Sequence, residues 1–304
     1  MRAVFKDPEQ EKEFQKNGYI RVPFLSNEDV KFLWDKFHEL IQKSGGNLSS
    51  GETDVEFEGE ITYDFTFIDK NIDYKKEVFK VIDEVFAPHY EKILNNFEPI
   101  IANYIRKTPK AGEVPMHQNW AFTDERKATS VSIWVPLVDS HRGNGALEVV
   151  PGSHKRFGEN RGPLIPWELE GIKDEIIKND LITCDIKAGE AIVLDDSIVH
   201  YSFPNNTNEL RIAIQLILIP ADLPSFHYHR DFENNANEIQ ILEVNHDFYM
   251  QFNPWKKPEN VKKIGAIPFK ETTLNYAQFK QGLFKRRFDE PQTVLDKIKA
   301  VFAK

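Results

Sequence analysis

Residues 190–219 read EAIVLDDSIVHYSFPNNTNELRIAIQLILI, and this stretch decides the architecture. Residues 191–194 and 210–219 are short apolar runs rich in Ile, Leu and Val, separated by a Pro- and Asn-containing turn segment. That is the pattern of strands rather than helices. His200 stands where the first apolar segment closes with a turn, and Arg211 leads the second run eleven positions later. An arginine heading so apolar a strand is costly to bury unless an anion meets it. A guanidinium fork matches a carboxylate bidentately, so a dicarboxylate is a natural partner.

Outward from this stretch, residues 100–106, 114–120, 130–138, 146–150 and 181–186 also read as strands, with Gly143-Asn144-Gly145 as a turn between two of them. The N-terminal third differs. Asp7 and Pro8 look like an N-cap and first helical position of a helix stopping near Gly18, and 19–23 reads as a short strand. Ser26 and Asp29 resemble a capping box that starts a helix ending before Gly45-Gly46. A polar loop then runs to about residue 60, and 74–96 is helical in pattern, with Pro88 as an expected break or kink. Helices first and many short strands second predict a mainly β, α+β chain: an antiparallel jelly-roll packed against N-terminal helices. With no internal repeat or low-complexity linker, residues 1–304 are expected to form a single domain. Its parts are a mostly helical flank over 1–97, a jelly-roll core over 98–220 and a C-terminal extension over 221–304. The tail mixes aromatic and basic segments, and from Glu290 it looks helical.

Composition narrows the function classes. The chain has 304 residues, 40% hydrophobic and 29% charged, with 23 Phe, enough for a filled core. A net charge of −9 argues against a general nucleic-acid binder. The short basic runs at 256–257 and 285–287 read as solvated faces. No stretch approaches the ~20 apolar residues of a membrane span, and the N-terminus lacks the apolar segment of a secretory signal. The single cysteine, Cys184, fits a reducing compartment, so a cytoplasmic location is expected.

Nine histidines are present. His38, His89, His141 and His246 need no special role, and His227 and His229 alternate as on a strand with nothing nearby to complete a site. His117 differs by its setting, Val114-Pro115-Met116-His117-Gln118-Asn119-Trp120. On a strand, 117 and 119 share a face, and two ligands at that spacing reach one ion.

The pattern as a whole resembles the phytanoyl-CoA dioxygenase family of iron(II)/2-oxoglutarate oxygenases. The residues that carry the resemblance are Phe14 to Tyr19, His117-Gln118-Asn119 at the family's His-x-Asp, and Ser132 to Asp139. Gly143 to Lys155, His200-x-Ser202 and Arg211 complete it, so it spans roughly residues 10–220. The resemblance implies a double-stranded β-helix (cupin-like) with iron(II) held by His117, Asn119 and His200. It implies 2-oxoglutarate at Arg211, assisted by Ser202, with Gln118, Trp134 and Asn103 near it, and O2 as oxidant. The implied reaction is hydroxylation of a small molecule, with halogenation, desaturation or a catalytically silent binder as alternatives. One departure stands out: the family's carboxylate is replaced by Asn119. An Asn oxygen can reach a metal but brings no charge. Asp124, Glu125 or an exogenous anion are the other sources of a third ligand.

Overall fold

The computed structural model describes residues 2–46, 63–158, 160–232, 234–254 and 256–284. The expected loop up to residue 60 lies largely outside them, and the expected C-terminal helix lies wholly outside. Helix α1 (Pro8–Asn17) is capped by Asp7 and stopped by Gly18 in the left-handed region. Strand β1 (Tyr19–Pro23) follows, then α2 (Asn27–Leu40), opened by the Ser26/Asp29 capping box. After β2 (Asp64–Phe65), α3 runs over Ile72–Ile93. It passes through Pro88 instead of breaking there. Proline costs α3 one backbone hydrogen bond, while Val78, Ile82, Phe86 and Tyr90 all bury on the same core to either side of it.

The strands are β3 (Phe97–Lys107), β4 (Val114–His117), β5 (Val131–Pro136), β6 (Glu148–Val149), β7 (Ile182–Thr183), β8 (Glu190–Asp195), β9 (His200–Ser202) and β10 (Arg211–Pro220). Helix α4 (Lys173–Asn179) precedes β7. All pairings are antiparallel. One sheet orders β1-β8-β5-β10-β3-β2 and a second orders β4-β9-β6-β7. The chain is thus a mixed α/β protein with antiparallel sheets. The tail adds a third sheet, β11 (Ser225–His229), β12 (Glu238–Val244) and β13 (Lys262–Pro268), with α5 (His246–Gln251) before β13 and α6 (Tyr276–Gly282) after it. Among the described residues, no helix is long and apolar enough to cross a membrane.

Strand β10 explains why its sequence does not alternate. Ile212, Ile214, Leu216 and Leu218 pack with α1, α2 and α3 in the main core. Arg211, Gln215 and Ile217, one position out of phase, line a cavity of about 540 Å³ on the other face. Both faces are covered, so both are apolar, apart from the few polar side chains aimed into the cavity. Trp134 and Leu194 from this sheet and His117, Leu147, His200 and Ser202 from the second sheet also line that cavity.

Candidate active site

Strands β4 and β9 pair so that His117 stands directly opposite His200, with ring centroids 4.1 Å apart. His117 Nδ1 lies 2.7 Å from the Pro115 carbonyl, and His200 Nδ1 lies 2.9 Å from the Ile198 carbonyl. A carbonyl only accepts, so each Nδ1 carries the proton and each Nε2 keeps its lone pair. Burial holds both imidazoles below the usual histidine range, and at His200 the neighbouring His117 ring adds to the effect. Neutral, oriented imidazoles are what a metal ligand requires.

Asn119 falls just past the end of β4, not within it as the alternating pattern suggested. It reaches the same place from the loop. Its backbone carbonyl accepts from Arg161 Nε at 2.6 Å, and Arg161 is in turn gripped by both oxygens of Glu125 at 2.9 and 2.6 Å. Its Nδ2 donates to Asp196 Oδ1 at 2.8 Å and to Ser132 Oγ at 3.0 Å. With Nδ2 committed to Asp196 and Ser132, Oδ1 is the uncommitted end of the amide, and Asn119 lines the same cavity as His117 and His200. On this donor set the residues present fit a divalent metal. Among the described residues no cluster of three His, Cys, Asp or Glu forms.

The other carboxylates weighed from the sequence are engaged elsewhere. Asp124 pairs with Arg126 and Lys127, Glu125 is buried against Arg161, and neither lines the cavity. His227 and His229 lie on β11, and among the described residues no third His, Cys, Asp or Glu joins them in a metal-binding group.

Arg211 lines the cavity while buried at 2% exposure, and its Nε and Nη1 have no hydrogen-bond partner. Burial alone pulls its pKa down to about 9. Its guanidinium carbon sits 5.8 Å from the centre of the Trp134 ring. Ser202 also lines the cavity, but its hydroxyl is already used: it accepts from Lys107 Nζ at 2.5 Å and donates to the Gly145 carbonyl at 2.8 Å. Gln118 acts as a strut, donating to the Phe157 and Ser197 carbonyls at 3.0 and 2.6 Å and accepting from Trp167. Asn103 accepts from the Phe67 amide at 2.7 Å and donates to Gln215 at 3.2 Å.

Two residues of this site escaped the sequence reading. Lys107, opposite Arg211 in the β3–β10 register, is fully buried and donates to Ser202 O, Ser202 Oγ and Phe203 O. Burial, aided by Arg211, holds it down to about 6. Asp196, also fully buried, is pushed up to about 6 by burial although Ser132 and Asn119 hydrogen bonds pull the other way. Its only signal in the sequence was a pair of Asp residues ending an apolar strand.

Residues 14–213 match the phytanoyl-CoA dioxygenase family model. A phytanoyl-CoA dioxygenase domain-containing protein 1 homolog of Dictyostelium discoideum is 31% identical over 147 residues, 46% of this chain and 52% of that protein. A phytanoyl-CoA dioxygenase of Arabidopsis thaliana is 32% identical over 127 residues, 39% of this chain and 43% of that one. The chain therefore spans about half the length of these two relatives. In structure it is similar to the non-heme alpha ketoglutarate dependent carbocyclase SnoK from nogalamycin biosynthesis, with a TM-score of 0.50 and 17% identity over 72% of this chain and 86% of that one. The identity there is low enough that the likeness speaks for the fold alone. On the match over residues 14–213, the chain belongs to the phytanoyl-CoA dioxygenase family.

Proposed function

We propose that this protein is an iron(II)- and 2-oxoglutarate-dependent oxygenase acting on a small molecule, built as one domain on a double-stranded β-helix whose two halves are the six- and four-stranded sheets. The observation that carries this reading is Arg211, a buried guanidinium with two unpartnered nitrogens in the cavity that also holds His117 and His200. A buried, unpaired cation is costly, and a bound carboxylate removes the cost.

His117, His200 and Asn119 Oδ1 would hold iron(II), and Arg211 would hold the distal carboxylate of 2-oxoglutarate. When bound, the pair supplies oxidation of a C–H bond by O2, coupled to conversion of 2-oxoglutarate to succinate and CO2. The protein's own part is binding and orientation. The Pro115 and Ile198 carbonyls fix the two imidazole tautomers. Lys107 holds Ser202 in place in the cavity wall, and Trp134 provides the flat wall beside the guanidinium. The rest of the cavity excludes water with Phe65, Phe67, Trp120, Phe122 and Ile217. Among the described lining residues Arg211 is the sole Lys or Arg, so the substrate portion that enters is apolar. Hydroxylation is the favoured outcome. For halogenation an anion would have to settle where the Asn119 amide lies, with the Asp196 carboxylate 2.8 Å behind that amide, and like charges disfavour it.

Calorimetric titration of 2-oxoglutarate into the anaerobic iron-loaded protein and into Arg211→Ala tests the reading. Binding that is lost in the variant supports it, and equal binding in both removes Arg211 from the assignment.

A further inference from the structure

Replacing the family's carboxylate with Asn119 removes one negative charge from the ligand set, and the structure contains a carboxylate placed to return it. Asp196 follows β8 directly and is fully buried. Its Oδ1 accepts from Asn119 Nδ2 at 2.8 Å and from Ser132 Oγ at 2.6 Å. Ser132 Oγ receives Asn119 Nδ2 at 3.0 Å and Gln215 Nε2 at 3.3 Å. Every neighbour named donates toward Asp196 Oδ1 or toward the hydroxyl that does, so Oδ1 is an acceptor, while Oδ2 is buried with no partner among the described residues. The residues meet from four elements, the loop after β4, β5, the end of β8 and β10.

We propose that Asp196 is the positioning residue of the metal site: it fixes the Asn119 amide so that Oδ1 faces the metal, and it contributes from behind Asn119 the negative charge that the ligand itself lacks. This rests on the metal-binding reading above. Asn and Asp share a shape, and a terminal amide left alone presents either end to the cavity. A carboxylate at 2.8 Å from one end removes that ambiguity, because an amide oxygen turned toward it would meet only lone pairs. A hydrogen bond to an anion also polarises the amide and makes Oδ1 a better donor. Asn119 and Asp196 together thus do what a single ligand carboxylate does elsewhere in the family. The arrangement also changes what Asn119→Asp means. Two carboxylates would then face each other across one hydrogen-bond distance, and one must keep a proton.

The test is a double-mutant cycle in anaerobic iron(II) titrations of the full chain, read as dissociation constants, with thermal melts of the metal-free proteins alongside. Asp196→Asn should weaken iron(II) binding about ten- to a hundredfold, the usual cost of losing a partner behind a metal ligand, while keeping its melting point near wild type. The charge-swapped double variant, Asn119→Asp with Asp196→Asn, should recover wild-type affinity or better. Asn119→Asp should therefore gain far more affinity in the Asp196→Asn background than in the wild type. A purely structural role for Asp196 would not produce rescue by moving the charge. Should Asp196→Asn fail to fold, Ser132→Ala removes a donor to Asp196 while keeping the carboxylate, and should leave iron(II) binding weakened severalfold at most. Equal gains from Asn119→Asp in both backgrounds, or Asp196→Asn binding like wild type, would overturn the proposal while leaving the metal site standing. Wild-type protein that binds iron(II) no better than His200→Ala would overturn both.

Discussion

His117 and His200 face each other across the β4–β9 pair, and each gives its Nδ1 proton to the carbonyl two residues behind it. The two strands therefore set both the position and the tautomer of the imidazoles before any metal arrives. His117→Ala or His200→Ala should accordingly abolish iron(II) binding, checked by elemental analysis after anaerobic loading. Wild-type iron content in either variant would place the metal elsewhere.

Arg211 makes separable claims about ligand and fold. Arg211→Ala should raise the apparent 2-oxoglutarate requirement well over tenfold, since a partly buried bidentate charge pair is worth on the order of 2–5 kcal/mol. Arg211→Lys should rescue only part, because an ammonium cannot reproduce the fork. Arg211→Met should leave the ligand-free protein as stable as wild type or more so, because it removes a buried, unpartnered charge. Thermal melts with and without 2-oxoglutarate check both halves: the co-substrate should raise the wild-type melting temperature and leave that of Arg211→Met unmoved.

His227 gives the fold an acid limit. Burial among Trp120, Phe248 and Phe252 pushes its pKa down to about 3. The unfolded chain, with an ordinary histidine near 6.5, binds more protons than the folded one between these values. Stability contributed by this group is therefore present above pH 6.5 and lost as pH falls toward 3, on the order of a few kcal/mol in total. His227→Phe should flatten that branch of a urea-melt series relative to wild type. Parallel pH profiles for the two proteins would show that His227 is not the group responsible.

Lys107 should matter to stability before it matters to chemistry. Its Nζ meets three oxygens around Ser202 and Phe203. Lys107→Met strands those acceptors and should cost about 1–3 kcal/mol, read from denaturant midpoints. A variant as stable as wild type would mean that water replaces Nζ at no cost.

Much of this site was readable from residues alone, for reasons that differ by residue. Arg211 announced itself because a charge at the head of an apolar strand has few structural excuses. His200 stood out at the close of an apolar run, and His117 by the alternation that puts 117 and 119 on one face of a strand. The capping chemistry of Asp7 and Ser26 was equally local, and both helices start where it indicates. Asp196 was not readable: its partner Asn119 lies 77 positions away in the chain, and a carboxylate after an apolar strand reads as a turn residue. Its neighbour Asp195 fills that very role, accepting from the Ser197 amide at 2.9 Å. Lys107 was hidden likewise, because only the β3–β10 register brings it opposite Arg211. At Pro88 local chemistry allowed a break or a kink, and packing on both sides of it keeps the helix unbroken. The sheet of β11, β12 and β13 lies in a tail whose mixed aromatic and basic pattern does not distinguish a cover from a lid.

Succinate release tests the central claim most directly. Purified protein supplied with iron(II), 2-oxoglutarate and O2, without any other substrate, should form succinate by uncoupled turnover; His200→Ala should form none above the protein-free background, and Arg211→Ala should need a well over tenfold higher 2-oxoglutarate concentration to form as much. No succinate from the wild-type protein, or equal amounts from wild type and His200→Ala, would contradict the assignment of an oxygenase built on His117, Asn119 and His200.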